Sequence, residues 1–393
     1  MHVLVLDTIH GGEDIAEAWR QRGDTVDAVD VYRGTGVPES VAASRRYDLV
    51  TAPVHLIPSH PLLAKSPVKT HHEMVRELVV PPRISVEITG ARGKTTTAFA
   101  LAHLMTDLGC GILHTSSGTF RMPDRELLWR KSITPASVIA ASASAQKFGA
   151  EWLIAEESVG VAGFGTLGIL TSGDDYPIAG GTKSALAEKC RSLAACRKVL
   201  VPRGVPMQNG WQVIDDLVSV TDDVLSFDGG EVRNSLLTLA GYRSALSAAA
   251  AAGLLLGLPV EKLAEFSALP GRMCLSENCG VPILDNANSG TNADNTIEAA
   301  AYLRRQHPEK PVVLVIGMEH HAVCEGFPVN EIRRAVSLVS PAHLVIISGS
   351  DGYADQFPDA DTICTTLSAA TDSALDLAKT SGGSVLLAAK TWR

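Results

Sequence analysis

The chain has 393 residues, 46% apolar and 20% charged, a soluble globular composition too long for one core, and at roughly 150 residues per domain three domains are expected. A formal net charge of -9 excludes a surface built to neutralise nucleic-acid phosphates, so no nucleic-acid partner is expected, although small anions can still be held locally. The longest apolar run, ALSAAAAAGLLLGLPV from Ala245, is broken by glycine and closed by Pro259, which reads as a buried helix and not a membrane span.

The opening HVLVLD, GGEDIAEAWRQRG and DTVDAVDVY read as strand, helix and strand of a small α/β unit, and YDLVTAPV adds another strand. MHVLVLD lacks the cleavage pattern of a secretory leader, and seven cysteines without a CxxC pair read as free, buried thiols, so a cytoplasmic protein is expected. Proline punctuation then leads to PPR at Pro81 to Arg83, where a first domain, 1–83, is expected to end.

From Ile84 the pattern lengthens: strand ISVEIT, a glycine-rich loop, an apolar helix, strands EWLIAEE and LGILTS, a helix through Lys189, and strand KVLVP. These predict a parallel nucleotide-binding sheet over 84–268. Beyond LPGRM, strands VPILD, PVVLVIG, HLVIISG and SVLLAA alternate with helical stretches such as NTIEAAAYLRRQH, predicting a third, Rossmann-like α/β domain over 269–393.

The loop between ISVEIT and AFALAHLM is Gly90, Ala91, Arg92, Gly93, Lys94, Thr95, Thr96, Thr97. Glycines let backbone N–H groups approach phosphate oxygens, the helix opening at Lys94 turns its positive dipole end toward them, Lys94 adds charge, and Thr95 offers a hydroxyl to Mg²⁺. ATP and Mg²⁺ are therefore the expected cofactors. The string lacks the first glycine of the usual GxxxxGK[ST] form, and its strand-loop-helix setting is what makes it a phosphate loop.

A GxxGKTTT loop entering a central domain between two other α/β domains resembles the Mur ligase family, and the likeness runs from about Ile84 to the end of the chain. It implies a three-domain α/β architecture with a central P-loop ATPase domain and a C-terminal Rossmann-like domain. The activity it implies is phosphorylation of a carboxylate by ATP to an acyl phosphate, which a nucleophile then displaces. By the same likeness LIAEESVG offers Glu156, with Glu157 beside it, as a metal-binding carboxylate; the family's second serine is missing. ILTSGDDYP places Asp174 and Asp175 where the family has Asp-His, and SALAEKCRSL places Lys189 at the carbamylated lysine. LPGRM supplies Arg272 to reach ATP, ILDNANSGTN supplies Asp285 for the ribose with Asn286, Asn288 and Thr291 near the reacting phosphate, and LLAAKTWR leaves Lys390 as a contact. GYRSALS, from Gly241 to Ser247, stands where the family's adenine-contacting asparagines occur, so adenine contacts differ.

The first domain does not look like that of a peptidoglycan ligase. VLVLDTIHGGEDIA, VDVYRG, LVTAPVHLIPSHPLL and THHEMVREL resemble the archaeal branch of Mur-like enzymes that completes a nickel tetrapyrrole, coenzyme F(430). This implies a nickel-containing tetrapyrrole substrate, one propionate of which is activated and then attacked by a carbon of the same macrocycle to close a cyclohexanone ring. His10, His55, His60, His71 and His72 are open as bases for that carbon, and Arg33, Arg45, Arg46, Lys65 and Lys69 as partners for substrate carboxylates. The nickel arrives in the macrocycle, so no dedicated nickel site is expected, the pairs His71-His72 and His320-His321 notwithstanding. An amide ligase and a nucleotide-gated metal or tetrapyrrole chaperone are the competing readings.

Overall fold

The computed structural model describes residues 1–319, 326–349 and 354–391, which form two compact units, Met1–Phe266 and Ser267–Arg393. His320, His321 and Cys324 lie outside the described residues.

Unit one opens with a four-stranded sheet. Strands β1 (His2–Leu6), β2 (Thr25–Val29), β3 (Leu49–Ala52) and β4 (Val68–Thr70) pair in parallel in the order β2-β1-β3-β4. Helix α1 (Glu13–Gln21) buries Ile15, Ala16 and Trp19, residues spaced to share one helix face, against Val3 and Val5. A short helix α2 (Glu39–Ser44) follows β2, and α3 (His71–Leu78) starts on a capping box in which Thr70 and Glu73 satisfy each other's backbone N–H groups. The apolar cluster under this sheet continues into Ala136, Val138, Ala155 and Ala162, so the N-terminal sheet and the following sheet share a core.

The second sheet of unit one has eight strands. They are β5 (Ile84–Thr89), β6 (Gly111–Thr115), β7 (Gly118–Met122), β8 (Glu126–Trp129), β9 (Trp152–Glu156), β10 (Leu167–Leu170), β13 (Val199–Val201) and β14 (Trp211–Val213); a small hairpin, β11 (Pro177–Ile178) and β12 (Lys183–Ser184), falls between β10 and β13. The order is β14-β13-β10-β5-β9-β6-β7-β8, with antiparallel pairing only at β6-β7-β8. Its central strands are buried on both faces, as parallel strands covered by helices must be. Helices α4 (Lys94–Leu104), α5 (Ser137–Phe148), α6 (Ala185–Leu193), α7 (Ile214–Leu217) and α8 (Ala240–Leu256) follow in chain order, and a three-stranded meander, β15 (Val218–Thr221), β16 (Val224–Phe227) and β17 (Gly230–Arg233), precedes α8. The Ala-rich run is buried, as its composition predicts, and Gly253 lets α8 approach Leu104 at the end of α4: a Cβ there would lie 2.9 Å from Leu104 Cδ1.

Unit two is one sheet of β18 (Cys274–Asn278), β19 (Val281–Asp285), β20 (Val312–Met318), β21 (His343–Ser348), β22 (Thr362–Cys364) and β23 (Ser384–Lys390), ordered β18-β19-β23-β20-β21-β22 and parallel except at β18-β19. Helices α9 (Ala293–Gln306), α10 (Val329–Val339) and α11 (Leu367–Ser381) accompany it, with apolar clusters on both sheet faces. Among the described residues no helix is long and apolar enough to cross a membrane. The six described cysteines are unpaired; Cys190 and Cys196 are buried, but Cys279 is exposed, contrary to a uniformly buried set.

Candidate active site

The carboxyl ends of β5, β9 and β10 build the candidate nucleotide site, and each strand contributes a different function. β5 delivers the loop. Gly90 has φ 150° and a Cβ on it would lie 2.2 Å from Thr171 Oγ1, and Gly93 at φ 82° turns the chain into α4; both positions require glycine. Ser172, after β10, holds the loop open by accepting from Ala91 N at 3.0 Å and Arg92 N at 3.4 Å. Ala exchange at Gly90 is therefore expected to abolish nucleotide binding while the β-sheet survives, which isothermal titration with ADP and circular dichroism would show together.

β9 delivers Glu156 into the first turn of α4. Thr95 donates its hydroxyl to Glu156 Oε2 at 2.8 Å, Ser116 N donates to the same oxygen at 3.1 Å, and Thr95 Oγ1 lies 3.0 Å from Ser116 Oγ. Lys94 Nζ bonds Gly90 O at 3.0 Å and stands 4.0 Å from Glu156 Oε1. Thr96 and Thr97 are buried behind them. The structure thus gathers Gly90, Ala91, Arg92, Gly93, Lys94, Thr95 and Glu156 into one place.

Asp174 and Asp175 sit elsewhere around the loop. Asp174 pairs with the exposed Arg92 at 2.8 Å, and Asp175 Oδ1 accepts from Leu186 N at 2.9 Å and Tyr176 N at 2.8 Å, which ties it to α6 and holds its carboxyl below the usual range. Neither shares a described bond with Glu156. Glu157 does not join Glu156 either: it points inward, against Glu87. Burial, then the neighbouring Glu87 charge, pushes its carboxyl well above the usual range.

Lys189 is not a solvated helix lysine. It is fully buried, its Nζ has no hydrogen-bond partner among the described residues, and it lies 4.4 Å from the centre of the Tyr176 ring. Burial, followed by the charge of Lys94, lowers its pKa to about 8. An amine in that range is partly neutral and nucleophilic.

In unit two, Asp285 at the end of β19 accepts from Gly271 N at 3.1 Å and Ala287 N at 3.1 Å. Asn288 donates to Gly271 O at 2.7 Å, and Thr291 donates to Asn286 O at 2.9 Å. The Gly271-Arg272 turn and the Asp285 loop are therefore one braced structure. Lys390 ends the buried strand β23. Gly241 to Ser247 is the first half of α8, where Tyr242 is buried and Arg243 donates to Leu237 O at 2.9 Å.

In the first domain, the cationic residues proposed as carboxylate partners are partly engaged: Arg45 pairs with Asp27 at 2.8 Å, Lys69 pairs with Glu77, and Lys65 donates to Ala43 O. His60 caps a short turn, bonded by Leu62 N at 3.4 Å. His71 and His72 are buried, and desolvation lowers them to about 3 and about 4. Both pKa values are below the unfolded value of 6.5, so unfolding takes up protons as the pH falls beneath 6.5. Stability is expected to fall there by about 1.4 kcal/mol per pH unit for each histidine until its folded pKa is reached. Urea melts of His72→Gln should show a shallower acid slope than the parent; Gln retains a donor for Ser158 O, which His72 Nε2 meets at 3.2 Å. Asp7, His10 and His55, the last far along the chain from the first two, bring three donor atoms within 4.8 Å of one another, the set of this kind found among the described residues. A buried aspartate directly after an N-terminal strand, three residues before a histidine, was its signal.

The C-terminal segment 275–391 matches the family model "Coenzyme F430 synthetase CfbE, C-terminal domain". Across 91% of this chain and 94% of the relative, the sequence is 30% identical to the coenzyme F(430) synthetase of Methanosarcina acetivorans. Two solved structures share the fold at 14% identity: ligand-free folylpolyglutamate synthase/dihydrofolate synthase of Yersinia pestis, with a TM-score of 0.58 over 82% of this chain and 92% of that one, and MurF ligase of Thermotoga maritima, solved with ADP, with 0.53 over 88% and 85%. The fold is Mur ligase-like, and the chain belongs to the coenzyme F(430) synthetase family.

Proposed function

We propose that this enzyme completes a nickel tetrapyrrole by activating one propionate of its seco-acid, 15,17(3)-seco-F430-17(3)-acid, as an acyl phosphate and closing a carbocyclic ring upon it. The observation that carries the reading is the joining of Lys94, Thr95 and Glu156 at a glycine loop, in a chain alike over nearly its whole length to a coenzyme F(430) synthetase. On this reading 1–83 holds the macrocycle, 84–268 the phosphates and 269–393 the nucleoside, through Arg272 and Asp285.

A carboxylate oxygen attacks the γ-phosphorus of ATP and ADP leaves; the acyl phosphate so formed has the leaving group that the carboxylate lacked. Lys94 offsets the charge that spreads over the transferred phosphoryl oxygens, and the first backbone N–H groups of α4, at the positive end of its dipole, hold the remaining phosphates. Thr95 and Glu156 present a hydroxyl and a carboxylate together, hard oxygen donors suited to Mg²⁺, with Asp174 and Asp175 further out. When bound, the ion neutralises phosphate charge. Lys189 is the carbamylation candidate: its partly neutral amine can add CO₂, turning a buried cation into an anion. A carbon of the same macrocycle then displaces phosphate. Because both ends belong to one molecule, holding it in one pose replaces a bimolecular encounter.

Hydroxylamine tests the activation step. With Mg-ATP and the seco-acid it should trap the acyl phosphate as a hydroxamate, ADP appearing in equal amount; ADP without hydroxamate would favour a nucleotide-gated carrier.

A further inference from the structure

The N-terminal sheet carries a second site that the phosphate chemistry does not use. In the order β2-β1-β3-β4 the chain crosses from β1 to β2 on one side and to β3 on the other, so the β1/β3 boundary is a topological switch point, where parallel α/β sheets open a crevice at their carboxyl ends. Asp7 follows β1 directly and His55 follows β3 by three residues, so both stand at the carboxyl ends of these neighbouring strands, with their side chains brought together. His10 lies in the turn between β1 and α1.

The turn is built around a carboxylate. Asp7 is fully buried and sits at φ 73°, a conformation costly for a residue with a side chain. Its Oδ1 accepts from Ile9 N at 3.0 Å and His10 N at 3.2 Å, and its Oδ2 lies 2.5 Å from His10 Nδ1. A Cβ on Gly12 would meet Asp7 O at 1.9 Å, and one on Gly11 would meet Ala136 Cβ at 2.5 Å, so the turn is pinned against the neighbouring sheet domain. An ionised Asp7 only accepts, which fixes a proton of His10 on Nδ1, so that in the neutral ring the lone pair is on Nε2. The His10 side chain is 37% exposed, enough for a ligand to reach it. His55 and Tyr32 flank it, with ring centres 4.8 Å and 5.6 Å away.

These strand ends border the nucleotide side of the same unit. Lys183, in the β11-β12 hairpin between Asp175 and Lys189, donates to Val54 O at 3.2 Å, one residue from His55. His72, bonded to Ser158 O, links α3 to the segment that follows Glu156.

We propose that His10, oriented by Asp7, is the base that takes the proton from the carbon nucleophile of the macrocycle. The proposal rests on the cyclase reading above. Nε2 removes the C–H proton, the released electron pair forms the C–C bond at the acyl carbon, the C–O bond to phosphate breaks, and the proton stays on the imidazole until solvent takes it. His10 is the catalytic residue; Asp7 positions it. The ionisable groups facing His10 are Asp7, Asp30, Arg33, Tyr32 and His55, with His71 buried behind Asp7. Asp7 raises the His10 pKa chiefly through its hydrogen bond.

Single-turnover assays with Mg-ATP and the nickel seco-acid separate the two steps. His10→Gln should form hydroxamate with hydroxylamine within a few fold of the parent while ring closure slows by about a hundredfold or more. Asp7→Asn, tolerated at positive φ, should slow closure and move the acid limb of its pH profile to lower pH, again sparing hydroxamate formation. Closure by His10→Gln at the parental rate overturns the proposal, as does a parallel loss of hydroxamate and closure, which would make the residue one of binding or folding. A parent enzyme that forms hydroxamate yet closes no ring without an added amine defeats the cyclase reading itself, and the assignment of His10 falls with it.

Discussion

Lys94→Ala is expected to lower ADP formation by about a hundredfold to a thousandfold, the range seen when one preorganised charge or donor is taken from a reacting oxyanion. Lys94 Nζ is mostly buried, at 15% side-chain exposure, and is held between Gly90 O and Glu156 in the concavity that the loop forms. Charge is worth more there than in water. Lys94→Arg should recover little, because a planar guanidinium cannot occupy the space of a point charge bonded to one carbonyl. Steady-state ADP release, measured for both variants beside the parent, checks this; turnover within tenfold of the parent for Lys94→Ala would remove the loop from the chemistry.

Lys189→Met should make the protein more stable and less active. The parent lysine places an amine without a hydrogen-bond partner among the described residues in a buried site, a cost that drives its pKa down to about 8, and methionine fills a similar volume without that cost. A gain of about 1 kcal/mol or more in urea unfolding is expected. ADP formation should fall by at least about tenfold, and the parent, but not the variant, should lose activity in buffer stripped of CO₂. Unchanged turnover would make Lys189 a packing residue; a loss of stability would mean that its amine is compensated in the fold.

Gly90 to Thr95 was legible because a phosphate loop is contiguous, and its flanking strand and helix carry plain apolar patterns. Glu156 was offered only through the family likeness of LIAEESVG, since the apolar pattern EWLIAEE does not choose between it and Glu157, and the structure turns Glu157 inward. The order of the strands was not, since pairing β10, β5 and β9 side by side is decided by crossovers that leave no local mark. The β6-β7-β8 extension and the β15-β17 meander went unread for a related reason: GTFRM, ELLW and GEVR are short and weakly alternating. Lys189 could be placed on a helix by pattern, but its burial beneath the Tyr176 ring, thirteen positions earlier, could not. Ser172 and Ser116, which brace the loop and Glu156, carry no signal of their own in the sequence. The Asp7-His10-His55 group needed β1 and β3 to be neighbours, and β2 intervenes between them in the chain.

In the proposed cyclase reaction one molecule supplies both the activated carboxylate and its nucleophile. Mass spectrometry and absorbance of the nickel seco-acid after incubation with the enzyme and Mg-ATP, with no amine present, test it directly. The account predicts a product lighter by one water, a shifted spectrum and one ADP per ring closed; ADP that appears only when an amine is added, with a product that gains its mass, would contradict it.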